Sequence, residues 1–383
     1  MIPRNAYKMQ VLKALRRSKI TALLGPRQCG KTTLAREIAA QMNAHFLDIE
    51  SPSDMARLQN PELYLRNIKE LVIIDECQLM PELFPILRVL ADQASENGRF
   101  LILGSASPGL IKDASETLAG RIEFIDLQGF NILEIGNEGL YRLWARGGFP
   151  LSYLANSDED SAAWREGFVR TFLQRDIPQL GLNIPSTTLR RFWTMLAHCH
   201  GQILNSSQLA NSMGMSDKTI RSYIDLLSAV YMIRPLQPWF TNTKKRQVKS
   251  PKIYFADTGI LHHLLGIPHL DGLLGHPQLG SSWESFTMEQ IIRTTPGIVP
   301  FFWSTYSGAE LDLLLTANNK RFGIELKYTE TPKPTKSMYS AINDLELEKL
   351  YVIYPGTDSY PLHELIEACP LVSFLDQKRS LFG

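Results

Sequence analysis

The sequence has little of several features that would assign a protein to a class at once. Only four of its 383 residues are cysteines (Cys29, Cys77, Cys199 and Cys369), and they are scattered without metal-ligand spacing. A disulfide scaffold and a structural zinc site are therefore not expected, and a reducing cytoplasm fits best. No apolar run approaches the length of a membrane span, and the first residues lack the apolar region of a signal peptide. We expect a cytoplasmic protein with no membrane partner.

An excess of charge of either sign is also absent. Lys and Arg together number 40, and Asp and Glu together number 39. A basic surface that attracts nucleic acid over the whole molecule is thereby excluded, and any contact with DNA must come from a local basic patch. The length allows about two or three domains with a sizeable core.

What the sequence does contain is a glycine-rich phosphate-binding pattern. Residues 25–33 read Gly-Pro-Arg-Gln-Cys-Gly-Lys-Thr-Thr, with Gly25, Gly30, Lys31 and Thr32 at the fixed positions of G-x-x-x-x-G-K-[ST]. An apolar strand precedes the pattern and a helix follows, so backbone N–H groups and the helix N-terminus can surround phosphate oxygens. Lys31 is expected to reach the β- and γ-phosphates and Thr32 to ligate Mg²⁺. The other loop residues predicted to contact the nucleotide are Pro26, Arg27, Gln28, Cys29 and Thr33.

A second motif supports a nucleotide site. Residues 71–76, Leu-Val-Ile-Ile-Asp-Glu, read as a buried parallel strand with two carboxylates at its carboxyl end, where α/β sheets bind ligands. Asp75 is predicted to hold Mg²⁺ through water, and Glu76 to polarise the attacking water. Together the two motifs predict a site for ATP or GTP. An extra strand at 45–49 and the glutamate directly after Asp75 favour the additional-strand ATPase branch over the GTPase branch.

Further positions are candidates for nucleotide contact. Ser105 follows an apolar strand, at the place where such ATPases carry a polar sensor of the γ-phosphate. Arg121 is a candidate arginine finger or sensor, acting within its own chain or across a subunit boundary in a homo-oligomer. The alternative for Arg121 is an arginine paired at a helix end. Arg4 and Tyr7 could border the adenine, although a packed surface helix is the preferred interpretation.

By these motifs the sequence resembles the AAA-type ATP-binding proteins of bacteria and archaea, which carry a C-terminal domain of unknown function. The resemblance rests on residues 25–33 and on Ile-Ile-Asp-Glu, Leu-Gly-Ser and Leu-Ala-Gly-Arg. It covers almost the whole chain, because later family motifs recur at residues 172–176 and 250–259. The resemblance implies that the chain binds ATP and hydrolyses it with Mg²⁺ as cofactor. It implies little about the biological role.

We predict an α/β protein in which a P-loop NTPase parallel sheet is followed by a winged-helix module and a small restriction-endonuclease-like domain. The predicted segments are the ATPase domain at 1–150, a helical connector at 151–185, the winged helix at 186–257 and the PD-(D/E)XK-nuclease-like domain at 258–383. The winged helix is predicted from a helix-turn-helix pattern at 206–230. Its basic loop, which could bind DNA phosphates, contains Lys244, Lys245, Arg246 and Lys249. The alternative is a winged helix that serves only as a spacer between domains.

The last segment predicts a second chemistry. Its element order of helix, three strands, helix and strand resembles the PD-(D/E)XK nuclease core, with Asp312 on the second strand. Glu325 and Lys327 share one face of the third strand because they are two residues apart. Asp312 and Glu325 could gather Mg²⁺ or Mn²⁺, Lys327 could orient or deprotonate a water, and Glu284 would add a helix carboxylate. The alternatives are a solvated sheet face with alternating charges and an inert binding platform of the same fold.

Two functions therefore compete. In the first, an ATPase cycle controls a DNA-binding or nuclease-like C-terminal region. In the second, the protein is a nucleotide-dependent switch or scaffold that binds partner proteins, and its C-terminal modules are inert. DNA affinity that falls with rising salt would favour the first function, because phosphate contacts release counterions.

Overall fold

The chain forms two compact units in its structure, a computed structural model that describes residues 2–105, 114, 116–180, 184–240 and 248–378. The first unit comprises Met1–Gly129 and Asp225–Met232, and the second comprises Phe130–Ile224 and Ile233–Gly383. The two units are coarser than the four predicted segments. Their boundary at residue 129 precedes the predicted end of the ATPase segment at residue 150.

The first unit is built on a five-stranded parallel sheet. Its strands β1 to β5 are Ile20–Gly25, Ala44–Asp48, Leu71–Asp75, Phe100–Ser105 and Ile122–Asp126. The spatial order is β2-β3-β4-β1-β5, so β4 lies between β1 and β3. β1 and β3 are buried along their whole length, as expected for parallel strands covered on both faces. The prediction of an α/β fold with a parallel sheet is confirmed.

Helices cover both faces of this sheet. Helices Asn5–Arg17 and Lys31–Met42 share one apolar core with strand residues such as Leu23. Helix Leu83–Gln93 shares the other core with residues such as Ala22. Neighbouring residues of β1 serve opposite cores because successive side chains of a strand point to opposite faces. The shorter described helices of this unit are Pro52–Arg57, Pro61–Arg66 and the 3₁₀ turn Cys77–Leu79.

The second unit is built on an eight-stranded mixed sheet. Its strands β6 to β13 are Ile233–Pro238, Lys252–Phe255, Phe301–Ser304, Glu310–Ala317, Lys320–Leu326, Lys349–Tyr354, Tyr360–His363 and Ile366–Pro370, in the spatial order β12-β13-β11-β10-β9-β8-β6-β7. Strands β8, β9 and β10 are antiparallel neighbours, whereas β11 runs parallel to β10. Helix Leu279–Thr294 precedes β8, and helix Lys336–Leu345 connects β10 to β11. The predicted order of elements is present, and the assignment to the nuclease class stays a prediction.

The segment predicted to be a winged helix contains helices Ser186–His198, Ser206–Met213 and Asp217–Ala229, followed by β6 and β7. β6 pairs antiparallel with β7 and also runs parallel to β8. The strand pair predicted as a wing is therefore part of the sheet that continues into the last predicted segment. The winged-helix assignment stays a prediction. Lys244, Lys245 and Arg246 of the basic loop lie outside the described residues, whereas Lys249 is described and exposed.

The other described helices of the second unit are mostly short. They are Ile132–Ile135, Leu140–Arg146, Pro150–Tyr153, Asp158–Thr171, Ile177–Gln179, Thr258–Leu264, Leu270–Leu274 and Leu371–Lys378, together with the 3₁₀ turn Asn137–Gly139 and the π-helical turn Phe172–Asp176. None of the described helices combines the length and the apolar character that a membrane span requires.

Candidate functional site

The predicted phosphate loop lies between β1 and helix Lys31–Met42, and two of its carbonyl oxygens accept hydrogen bonds from Lys31. Gly30 has a φ of 100°, in the left-handed region that favours glycine. The buried Lys31 donates from Nζ to the carbonyl oxygens of Gly25 at 3.0 Å and Pro26 at 2.8 Å. Gln28 and Thr33 are exposed, Arg27 is half-buried, and Cys29 is buried. The loop therefore has the strand, turn and helix context that phosphate binding requires.

One hydrogen bond joins the two predicted motifs. The Thr32 hydroxyl donates to Asp75 Oδ2 at 2.7 Å. Asp75 is the buried last residue of β3, and its Oδ1 accepts the backbone N–H of Glu76 at 3.0 Å. Burial raises the pKa of Asp75, and the Thr32 hydrogen bond opposes part of that rise. The two residues predicted to hold Mg²⁺ are thus together.

Glu76 has an uncommon backbone conformation. Its φ of 54° lies in the left-handed region, which residues other than glycine rarely adopt. The side chain is half-buried and accepts a hydrogen bond from Gln78 Nε2. Strain of this kind persists only where the surrounding structure imposes it, and it collects at functional sites. The role predicted for Glu76 in activating water stays a prediction.

Ser105 ends β4 beside the start of the phosphate loop. Ser105 and Gly25 are paired residues at the carboxyl ends of β4 and β1. The Ser105 hydroxyl oxygen is buried, and no group in the described ranges is its hydrogen-bond partner. A buried hydroxyl without a partner is unfavourable, so this atom suits contact with a ligand. The residues whose positions fit a bound magnesium nucleotide are Lys31, Thr32, Asp75, Glu76 and Ser105.

Arg121 does not join this group. Its carbonyl accepts the backbone N–H of Ile20 at 3.0 Å, which places it at the amino ends of β1 and β5. The phosphate loop lies at the other end of β1, whose six residues span about 16–20 Å. The Arg121 guanidinium is paired with Asp92, with Nη2 donating to Oδ2 at 2.9 Å. Contact with the γ-phosphate of its own chain does not fit this position, and a role across a subunit boundary stays a prediction.

Arg4 holds the phosphate loop, a role that the sequence did not indicate. The buried guanidinium donates from Nη1 to the carbonyl oxygens of Cys29 at 3.0 Å and Gln128 at 2.8 Å. Its Nη2 donates to the Gly129 carbonyl at 3.1 Å, and the group lies 4.8 Å from the centre of the Tyr7 ring. Arg4 therefore ties the loop to the segment that follows β5. A single arginine before a helix carries no spacing signal that would reveal this.

In the second unit, the site residues predicted on the third strand, Glu325 and Lys327, lie close to Asp312. Lys327 Nζ lies 2.9 Å from Glu325 Oε2 and 3.5 Å from Asp312 Oδ2. Asp312 Oδ2 also accepts the backbone N–H of Leu326 at 2.9 Å. The three side chains share one face of the sheet, as the period of two residues predicts.

Strand β7 adds two side chains to this carboxylate cluster, which consists of Glu284, Glu310, Asp312 and Glu325. Lys252 Nζ pairs with Glu310 and lies 3.6 Å from Glu284 Oε1. The Tyr254 hydroxyl donates to Glu284 Oε1. Sequence reasoning missed both β7 residues as site residues. Their two-residue spacing within the family motif at 250–259 is the signal that could have revealed them.

The close packing of the carboxylate cluster perturbs its acidities. Burial raises the pKa of Glu284 to about 7, and the charge of Asp312 adds to the rise. Burial and Asp312 together raise the pKa of Glu325 well above its usual value. The pKa of Asp312 is lowered, because Lys327 and Lys252 outweigh the effect of its burial. Within the part of the chain that the structure describes, no group of three or more His, Cys, Asp or Glu residues is placed to hold a metal ion.

Three family models together match most of the chain. Residues 17–136 match an AAA domain. Residues 137–271 match a domain of unknown function, DUF8612, and residues 279–374 match another, DUF4143. The AAA match contains the phosphate loop, Asp75, Glu76 and Ser105. Most of the AAA domain match thus lies in the first unit.

The chain is 46% identical over 370 residues to the uncharacterized proteins Mb2031c of Mycobacterium bovis and Rv2008c of Mycobacterium tuberculosis. Each alignment covers 97% of this chain and 84% of the relative. The chain therefore belongs to the same family as these two proteins.

Among solved structures the chain is similar to the Walker-type ATPase PABY2304 of Pyrococcus abyssi. The identity is 14%, the TM-score is 0.49, and the match covers 69% of this chain and 96% of that one. A likeness of this degree does not bear on function.

Proposed function

We propose that the protein is a Mg²⁺-dependent ATPase whose nucleotide cycle controls its C-terminal region. The observation that carries this proposal is the 2.7 Å hydrogen bond from Thr32 to Asp75, which joins the phosphate loop to the acidic end of β3. The AAA-domain match over residues 17–136 supports the ATPase part of this proposal.

Each residue of the site has a distinct role in this proposal. The loop N–H groups, the helix N-terminus and Lys31 hold the phosphates. Thr32 and Asp75 would hold a magnesium ion, which would supply positive charge to stabilise the phosphates. Glu76 accepts a proton from the attacking water, and the Ser105 hydroxyl donates to the γ-phosphate.

Lys31→Ala tests the site. The change removes the ammonium and its charge-assisted hydrogen bonds to phosphate, worth about 1.5–3 kcal/mol each, so ATP affinity measured by calorimetry should fall at least about tenfold. Lys13→Ala, at an exposed lysine of helix Asn5–Arg17, is the control and should bind ATP like the wild type. Equal affinity in Lys31→Ala and the wild type would disprove the site.

A second candidate function is phosphodiester cleavage in the C-terminal region. It is supported by Lys327, whose ammonium lies between Asp312 and Glu325 and could orient a water there. Among the described residues no group of three or more His, Cys, Asp or Glu residues forms a metal-binding set here, and a metal at Asp312 and Glu325 stays a prediction. The competing role is an inert module through which the ATPase binds DNA or a partner protein.

Incubation of the full chain with plasmid and linear DNA, with and without ATP and Mg²⁺, separates these roles. If the region cleaves DNA, Asp312→Ala should abolish cleavage while phosphate release from ATP continues. If the wild type leaves DNA intact, cleavage is excluded and the switch or scaffold role stands. Retention of labelled DNA by uncleaving protein, weakened by rising salt, would identify DNA as the partner.

A further inference from the structure

The ammonium of Lys252 lies inside the carboxylate cluster although its strand, β7, precedes every element that carries a cluster carboxylate. Lys252 is only 4% exposed. Its Nζ pairs with Glu310, lies 3.6 Å from Glu284 Oε1, and is 5.5 Å from the centre of the Phe302 ring. A buried ammonium is stable only when ionic partners surround it. Lys252 is therefore built into the cluster.

Each of two lysines is shared by two carboxylates of the cluster. Lys252 is shared by Glu284 and Glu310, whereas Lys327 is shared by Asp312 and Glu325. Every carboxylate of the cluster therefore has a lysine ammonium within ion-pair distance. Bound Mg²⁺ or Mn²⁺ draws its ligands from such oxygens and has to compete with the lysines for them.

The two lysines differ in how readily their ammonium groups could move away from the cluster carboxylates. The Lys327 side chain is 43% exposed and can turn into water when another cation arrives. The Lys252 side chain is 5% exposed, so leaving both Glu310 and Glu284 would strand its charge without a partner. Breaking one side of a buried ion pair is strongly unfavourable.

We propose that Lys252 is an internal counter-cation that takes the place of a divalent ion in the carboxylate cluster and keeps such ions out. The carboxylate cluster of the native chain then binds no divalent metal, because the buried ammonium already occupies its Glu284 and Glu310 side. The cluster acts as an ionic cross-link between β7, helix Leu279–Thr294 and β9. This inference goes beyond the proposed ATPase function and bears against cleavage as the second candidate.

Manganese binding to the full chain without nucleotide tests the proposal, with free Mn²⁺ followed by electron paramagnetic resonance. The wild type should show no binding that depends on Asp312. Lys252→Met removes the ammonium and should create one Mn²⁺ site at least about tenfold tighter than any in the wild type. Lys252→Met with Asp312→Asn should lose that site. Because ATP is absent throughout, the outcome does not depend on the ATPase proposal.

Two matched variants control the charge change. Lys320→Met removes an exposed lysine that pairs with Glu348 on the same sheet, and it should gain no manganese site. Lys252→Arg keeps a cation in place and should also stay free of manganese.

A second variant keeps the proposal testable if Lys252→Met alone does not fold. The double variant Lys252→Met with Glu310→Gln removes the carboxylate of Glu310 together with the ammonium, so only Glu284 loses its lysine partner. Glu284, Asp312 and Glu325 remain as ligands. The folded variant should bind Mn²⁺ more tightly than the wild type. If the wild type binds Mn²⁺ through Asp312 as tightly as the Lys252 variants, or if neither folded variant gains a site, the proposal is overturned.

Discussion

The two units hold their buried lysines in opposite ways. Lys31 donates to two neutral backbone carbonyls, those of Gly25 and Pro26. Lys252, in contrast, is shared by two carboxylates. Neither hydrogen-bond acceptor of Lys31 carries a charge, so its ammonium is available to a phosphate, whereas the charge of Lys252 is already balanced. Charged residues at motif spacing therefore mark a binding site for an ion only where the fold leaves their charge unbalanced.

The largest expected effect comes from Glu76→Gln, which asks whether the first unit is a catalytic site or only a binding site. The amide keeps the shape of the side chain but cannot accept a proton from water. Phosphate release should therefore slow by about 10²–10⁴-fold, with ATP affinity by calorimetry little changed. Glu96→Gln, at an exposed glutamate of the same unit, is the control. Phosphate release at the wild-type rate would show that another group activates the water.

Arg4→Met sharpens the comparison by releasing the phosphate loop without touching Lys31. Loss of the bonds to Cys29, Gln128 and Gly129 frees the loop backbone, so ATP affinity should fall by about tenfold. Arg16→Met, at an exposed arginine of helix Asn5–Arg17, should leave affinity unchanged.

Arg4→Lys separates positioning from charge, because an ammonium cannot span the same three carbonyls. Its affinity should lie between those of Arg4→Met and the wild type, at a melting temperature close to that of the wild type. If affinity and melting temperature fall together in both Arg4 variants, the residue serves stability alone.

The smallest expected effect is a difference in acid sensitivity between the units. In the second unit, burial lowers the pKa of His262 to about 4 and that of His200 to about 3. An unfolded histidine titrates near 6.5, so the unfolded chain binds more protons below that pH. The contribution of these histidines to the free energy of unfolding should therefore fall, on the order of 1–3 kcal/mol per histidine, as pH drops from about 6.5 to about 4. The only histidine in the sequence of the first unit is His45, which is exposed.

Tryptophan fluorescence measures this difference, because all six tryptophans belong to the second unit. Denaturant unfolding followed by fluorescence should show less pH dependence in His262→Gln than in the wild type. His45→Gln should retain the wild-type profile. An identical pH dependence in wild type and His262→Gln would mean that His262 is not held neutral by burial.

The residues of the candidate nucleotide site could be found from the sequence because their positions are set locally. Lys31 and Thr32 owe their positions to one turn, and Asp75 to the end of one strand. Arg4 could not be predicted, because its bond to Gln128 joins residues 124 positions apart. Lys252 and Glu310 meet across 58 positions, through strand pairing that spacing alone does not reveal. The position of Arg121 could have been predicted better. Because Arg121 directly precedes a parallel strand, it lies at the edge of the sheet away from the phosphate loop.

The pairing of β6 with β8 limits how the family could have evolved. β6 lies in the segment 137–271 and β8 in the segment 279–374, which match two separate family models. Exchange of either segment alone by recombination would leave a bare strand edge, a template for aggregation. The two segments are therefore expected to be inherited as one block, and truncation near residue 275 should give insoluble protein.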